Sequence, residues 1–351
     1  MSRSKYTSLR KWFQVGPEIG EYIGIRYGHL PPGATEPEWV YYPHTDYDGI
    51  GAWAEIMRSR GIELKNLPCI KYYPAYSPVV SALKHWPKYF LPRRPLALKP
   101  QERSAVALPE KLGPPKAVAW HVFDPYVTYR LRQDSHLLGL TVNTFLLHCL
   151  TRAIRPIFAD ESVAVPWMIP VNMRGGVHQY RDTDNHTSYV TVNIEPSATP
   201  GEIHRRILKA LSKGQHWGNW HAFKLANLLT PSMRRAIVRR GYAISQWNIG
   251  SFSNLGEWDP DKQFNSPNTA GAWLFCPPAL RSQLIAAGCV TFQGRLSVTI
   301  QAHPDLTTSA ETVRGWVNSW VAWIDHALKQ CARLPPWRLS EEEASEYWAR
   351  M

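Results

Sequence analysis

His44-Thr45-Asp46-Tyr47-Asp48-Gly49 is the stretch on which the reading of this chain turns. It follows a run of strand formers, Trp39-Val40-Tyr41-Tyr42, and precedes a helix-like segment from Ile50 to Arg60, so a histidine sits at the junction of two regular elements. The pattern His-x-x-x-Asp-Gly supplies one imidazole, a carboxylate four residues on, and a glycine able to take a close turn or a positive φ that larger residues resist. Those are the parts of an oriented general base.

Upstream, Glu21 to Tyr27 is rich in β-branched and aromatic residues and predicts a strand. Glycines 16, 20, 24 and 28 recur every fourth residue, but Pro17 and the surrounding strand formers favour turns and a bulged strand over a packed helix. Downstream, the proline-rich, basic and aromatic segment from Pro68 to Pro115 reads as a long connection. A strand over Val118–Val122 and a helix from Tyr126 to Leu138 follow. Thr141 then caps a helix from Val142 to Ile154, whose Phe145, Leu146, Cys149, Leu150 and Ala153 have helical apolar spacing. A strand from Val163 to Val171 leads into the turn Asn172-Met173-Arg174-Gly175-Gly176, and a further strand covers Thr187 to Ile194. Thr199, Pro200 and Glu202 have capping-box spacing at the start of another helix. Toward the C-terminus, Gly250 to Gly256 reads as a strand ending in a turn, Val290 to Ile300 as a hairpin turned at Gln293-Gly294, and Ser309 to Gln330 as an amphipathic helix. A short helix is expected from Ser340 to Ala349, and no internal repeat is evident.

With 351 residues, 44% of them hydrophobic, the chain can bury a large core in two lobes. No apolar run approaches the roughly 20 residues that span a bilayer, and the polar N-terminus lacks a signal-peptide core, so a cytoplasmic location is expected. Cys69, Cys149, Cys276, Cys289 and Cys331 are odd in number and widely spread, an arrangement that fits reduced, structural thiols. The net charge of +12 favours phosphates, nucleic acid or anionic lipid as partners without choosing among them. Its small clusters lie at Arg93-Arg94, Arg205-Arg206, Arg234-Arg235 and Arg239-Arg240; the last two read as a solvated helix face or as a patch for phosphate or an acidic partner. No nucleic-acid module accompanies them, and the chain has no Gly-x-Ser-x-Gly elbow, no Gly-x-x-x-x-Gly-Lys loop and no His-Glu-x-x-His metal motif.

The order of these motifs resembles the chloramphenicol acetyltransferase-like acyltransferases, which include the condensation domains of nonribosomal peptide synthetases and related alcohol and plant acyltransferases. The elements that carry the resemblance are the strand and helix flanking His-x-x-x-Asp-Gly, the proline-rich crossover, the Gly139-Leu140-Thr141 helix, the strand ending Pro170-Val171-Asn172-Met173-Arg174-Gly175, and the Ser253-Asn254-Leu255-Gly256 turn. It runs from about residue 36 to about residue 330. The resemblance implies an α/β fold of two lobes with mixed sheets flanked by helices, meeting at a channel with the histidine in its middle. The expected division is an abbreviated first lobe over 1–115, a second lobe over 116–334 and a tail over 335–351.

The resemblance also implies roles. His44 takes that of the base, removing a proton from a hydroxyl or amine as it attacks the carbonyl of an acyl thioester, carried by coenzyme A or by the phosphopantetheine of an acidic carrier protein. No permanently bound cofactor or metal is expected. Asp48 takes a structural, orienting role, with Arg174 as its candidate partner. Gly49, Ser253, Asn254 and Gly256 are candidates for the channel and for stabilising an oxyanion, and Asn185 for holding backbone in place. Asp46 is expected to be solvated, and His29, His121, His186 and His221 to be surface or packing residues. Two departures bear on this reading: only 43 residues precede His44, and Pro43 stands where condensation domains often have a first histidine. An oligomer completing the first lobe stays open. Two other readings stand beside acyl transfer: an inactive relative serving as a scaffold or carrier-protein binder, and a basic protein that binds RNA or a membrane surface.

Overall fold

The computed structural model describes residues 9–62, 64, 66–69, 80, 83–84, 96–101, 111–244, 248–258 and 270–331. Most of the expected connection from 68 to 115, with Arg93-Arg94, and the expected helix from 340 to 349 lie outside these residues.

The described residues begin with two one-turn helices, α1 (Arg10–Phe13) and α2 (Val15–Glu18). β1 (Gly24–Leu30) and β2 (Glu38–Pro43) then pair antiparallel, with Gly24 opposite Pro43 and His29 opposite Glu38. The other edge of β1 is filled by β7 (Ala272–Cys276), also antiparallel, so the smaller sheet has the order β2-β1-β7 and draws strands from both halves of the chain. The larger sheet has the order β3-β9-β8-β6-β4-β5. Its strands are β3 (Val118–Val122), β4 (Val165–Asn172), β5 (Thr187–Ile194), β6 (Gly250–Trp258), β8 (Ile285–Phe292) and β9 (Arg295–Ala302). It is mixed: β6 runs parallel to both β4 and β8, and the remaining pairs are antiparallel.

Local signals explain most of these boundaries. Asp124 accepts from Val127 N and caps α4 (Pro125–Leu137), with proline in the first turn where a missing N–H costs nothing. Thr141 caps α5 (Val142–Ile154), and the Thr199–Glu202 capping box starts α6 (Pro200–Ser212). The β8–β9 hairpin turns through Gln293 at φ 47° and Gly294 at φ 71°, the two left-handed residues that a tight hairpin of matching twist requires. The strand expected to end in a turn at Gly256 instead continues to Trp258 through a bulge between Asn254 and Glu257, which the positive φ of Gly256 accommodates.

Two cores result. The larger sheet packs under α5 and α9 (Ala310–Cys331), burying Phe145, Leu146, Leu150, Trp167, Phe252, Val298, Val317 and Trp320. Trp320 Nε1 donates to the Leu146 carbonyl and Trp167 Nε1 to Thr151 Oγ1, so the indole N–H groups are satisfied inside the apolar layer. The second core lies beneath α3 (Gly49–Ser59): Ala52, Trp53, Ile56 and Met57 meet Tyr27 of β1, Phe275 of β7, and Val290 and Phe292 of β8. It therefore spans both sheets. β7 passes over β8 so closely that a Cβ on Gly288 would lie 2.0 Å from the Phe275 carbonyl oxygen; only glycine allows this approach. Ser297 Oγ donates to the Trp273 carbonyl and Gln301 Nε2 to that of Pro277, fixing the crossing. Two further helices, α7 (Gln215–Ala226) and α8 (Pro231–Ile244), follow α6 outside the larger sheet.

Candidate active site

The histidine motif is a tight turn between β2 and α3. Asp46 N and Tyr47 N both donate to the Pro43 carbonyl, at 3.0 and 3.1 Å, and His44 N donates to the Ile23 carbonyl. This folding brings the half-buried imidazole back onto its own turn, where Nδ1 lies 2.8 Å from the Tyr47 carbonyl oxygen. A carbonyl can only accept, so Nδ1 carries the proton and Nε2 keeps its lone pair. Desolvation lowers the pKa of His44 below its ordinary value, with the Tyr47 carbonyl and the Asp48 charge opposing the shift. The imidazole is therefore neutral at physiological pH, the state a base needs.

Asp48 does not touch that imidazole through any hydrogen bond among the described residues. It is 2% exposed and serves two purposes. Oδ1 accepts from Gly51 N at 2.7 Å, capping α3, and both oxygens engage Arg174: Nη1 to Oδ2 and Nη2 to Oδ1, each at 2.8 Å. His186 N supplies a second donor to Oδ2 at 2.7 Å. Arg174, 3% exposed, spends its remaining N–H groups on the Asp182 carbonyl through Nε, the Asp184 carbonyl through Nη2 and Asn172 Oδ1 through Nη1. All five guanidinium donors and both carboxylate oxygens are satisfied, which is the condition under which a buried ion pair is tolerable.

The turn after β4 and the approach to β5 are stitched to the motif along their length. Asn185 is fully buried; its Nδ2 donates to the His44 carbonyl at 2.8 Å and its N to the Asp46 carbonyl at 3.1 Å. Tyr47 bridges to Asp184, and Arg58 at the end of α3 pairs with Asp182. Gly51 lies so near this segment that a Cβ there would meet the Thr183 carbonyl oxygen at 2.0 Å. Gly49, for which a close turn or a positive φ was expected, has no positive φ: it is the first residue of α3, and a Cβ there would lie 2.7 Å from the Leu255 side chain and 3.1 Å from the Phe275 ring.

The N-terminal segment contributes residues that motif spacing does not reveal. Phe13 packs against the His44 ring at a centroid distance of 4.6 Å, and Arg10 Nε lies 3.0 Å from Asp46 Oδ1. Asp46 is thus paired and not simply solvated, because α1 is held over the motif by Leu9 and Phe13, which pack with Met173, Trp217 and Trp220. No local pattern announces a pair 36 positions apart, Arg10 to Asp46. The other histidines are packed to differing degrees. His29 stacks on Trp273, His121 meets Phe123 edge-on, and His186 Nδ1 lies against the Asp184 carbonyl. His221 stacks on Trp217.

The bulged part of β6 at Ser253-Asn254-Leu255-Gly256 reaches the motif through Leu255, which packs on Gly49. Gly256 N is committed to Asn254 Oδ1 at 2.9 Å, and Asn254 and Gly256 line a cavity of about 240 Å³ with Thr128 and Arg132. Among the described residues no hydrogen bond joins these groups to His44. A larger cavity of about 370 Å³ abuts the motif at Pro43 and Thr45, with Tyr22, Tyr41, Tyr42 and Lys111 on its walls. Among the described residues no cluster of His, Cys, Asp and Glu has the makings of a metal site, and no single helix is long and apolar enough to cross a membrane.

No family model matches the sequence, and no curated protein matches it. Solved structures do. Trichothecene 15-O-acetyltransferase TRI3 from Fusarium sporotrichioides superimposes with a TM-score of 0.55 at 11% identity, covering 86% of this chain and 69% of its own. The fold is that of the condensation-domain-like acyltransferases. The EpoB nonribosomal peptide synthetase cyclization-docking bidomain from Sorangium cellulosum matches at 0.51 and 14% identity, over 85% of this chain and 59% of its own. Polyketide synthase associated protein 5 from Mycobacterium tuberculosis matches at 0.50 and 13% identity, over 85% and 75%. The chain thus spans less than two thirds of the EpoB bidomain.

Proposed function

We infer that this protein is an acyltransferase, moving an acyl group from a coenzyme A or carrier-protein thioester to a hydroxyl or amine, with His44 as general base. The observation that carries this reading is the Nδ1 contact to the Tyr47 carbonyl, which leaves Nε2 unprotonated on a ring held neutral by burial. In the proposed step Nε2 takes the acceptor's proton as its oxygen or nitrogen attacks the thioester carbonyl. The tetrahedral intermediate then collapses, and the imidazolium returns the proton to the departing thiolate sulfur. Asp48 and Arg174 position the turn and stay out of the proton path. Ser253 and the amide of Asn254 are the candidates for meeting the oxyanion, since Gly256 N already has a partner. The donor is a co-substrate and no resident cofactor is invoked. The basic surface suits the phosphates of coenzyme A or an acidic carrier, and the two-lobed division near residue 115 belongs to the same proposal.

The test is thiol release from a panel of acyl-coenzyme A and acyl-carrier donors, with hydroxyl and amine acceptors supplied. His44→Ala should slow acceptor-dependent release about 10²–10⁴-fold, the usual worth of a positioned base. Undiminished turnover in that variant would remove His44 from the mechanism, and wild-type protein inert to every donor would favour a scaffold.

A further inference from the structure

From Ile203 to Gly256 the chain contains no Asp or Glu, while Arg205, Arg206, Lys209, Lys213, Lys224, Arg234, Arg235, Arg239 and Arg240 all fall within it. This run includes the α7–α8 corner, where two helices meet across the short turn Asn227-Leu228-Leu229-Thr230. The corner is apolar as well as basic. Leu228 is 84% exposed and Met233 50%, with Leu225 and Ile237 also exposed beside them. Met233 and Ile237 are one helical turn apart and share a face of α8. Lys224 and Arg239 are exposed, and no ion pair among the described residues engages Lys224, Arg234 or Arg239. Arg235 is the exception, paired with Glu18 of α2, and that bond anchors α8 to the segment lying over the His44 turn. Arg234 holds the corner in shape by donating to the Leu229 carbonyl.

An isolated leucine on an exposed turn needs no explanation. Four apolar side chains within thirteen residues, in a stretch of sequence that carries cations and no acid of its own, do. Convex aliphatic tips have no groove of their own to fill; they suit a partner that flows around them. A lipid interface does so, while its headgroups neutralise the arginines and lysines.

We propose that the α7–α8 corner seats on an anionic bilayer surface, with Leu225, Leu228, Met233 and Ile237 entering the interface and the exposed Lys224 and Arg239 meeting lipid phosphates. This docking is independent of the acyl-transfer reading and uses none of the residues that build the His44 turn. It attaches the protein to a membrane without spanning it.

Sedimentation of the full chain with vesicles tests it. Vesicles of phosphatidylcholine with about 30 mol % phosphatidylserine should retain the protein at least tenfold better than phosphatidylcholine alone, and rising salt should abolish the difference. Lys224→Gln with Arg239→Gln should lower partitioning about 25-fold, roughly fivefold for each cation removed. Leu228→Ser should lower it by about tenfold at unchanged charge, with the thermal midpoint unmoved because the side chain is exposed. Equal retention by neutral and anionic vesicles would overturn the proposal. So would an unchanged Leu228→Ser, which would mark a purely electrostatic patch, or preferential capture by single-stranded RNA or an acidic carrier protein in direct competition with the vesicles.

Discussion

Replacing Asp48 by asparagine keeps the side chain's shape and removes one charge, so it isolates what the buried pair contributes. In the native protein each carboxylate oxygen accepts two N–H groups: Arg174 Nη2 and Gly51 N on Oδ1, Arg174 Nη1 and His186 N on Oδ2. An asparagine amide placed on either side would aim its own N–H groups at two donors. The Arg174 guanidinium, 3% exposed, would be left as an uncompensated charge in a poor solvent. Breaking such a pair typically costs about 3–5 kcal/mol, against a total stability of about 5–15 kcal/mol for a typical native fold. Guanidinium unfolding followed by the fluorescence of the 16 tryptophans should therefore show a large fall in midpoint for Asp48→Asn. The double variant Asp48→Asn, Arg174→Met should recover at least about 2 kcal/mol of the summed single losses, because no charge then remains unpaired. A single-variant loss under about 1 kcal/mol, or additive losses in the double variant, would refute the argument that this pair holds the turn.

The parts of this architecture that could be read from the sequence are those whose cause is local. Asp124, Thr141 and Thr199 accept from backbone N–H groups three residues on, and Gln293-Gly294 turns its hairpin by its own dihedrals. No distant contact is needed to decide them. β7 is different: Ala-Trp-Leu-Phe-Cys is buried at every position, so it shows no alternation, and a five-residue apolar run does not by itself distinguish strand from helix. α7 lacks a side-chain cap and starts at the left-handed Gly214, leaving the sequence without a start signal. The site shows the same division. The turn around His44 is encoded within six residues, but the groups that fix it come from far along the chain: Arg174 and Asn185 on one side, Arg10 and Phe13 on the other. Arg174 was reachable only through the family resemblance, and Phe13 through nothing in the pattern. The motif glycine left two roles open for a physical reason: a close approach and a positive φ both favour glycine, and sequence alone does not separate them.

Two further predictions concern protonation. Phe13 covers the His44 ring, and desolvation is the leading cause of that histidine's lowered pKa. Phe13→Ala admits water, so the titration of the His44 ring protons by NMR should move up toward 6.5; an unmoved titration would locate the desolvation elsewhere. His148, 6% exposed on α5, is lowered to about 3, chiefly by burial and next by the Arg152 charge, against a backbone hydrogen bond at Ala198 that raises it. Between that value and 6.5 the unfolded chain binds a proton that the folded protein refuses, so stability rises with pH across the window. The contribution is complete above 6.5 and is lost as pH falls toward 3. At pH 5, about 1.5 units into the window, the loss from this one group is about 2 kcal/mol. His148→Leu keeps the volume and discards the proton site; its stability between pH 7 and pH 5 should fall by about 2 kcal/mol less than that of the native protein. Parallel stability profiles for the two proteins would mean that His148 takes up its proton in the folded state, and that α5 yields to water at that position.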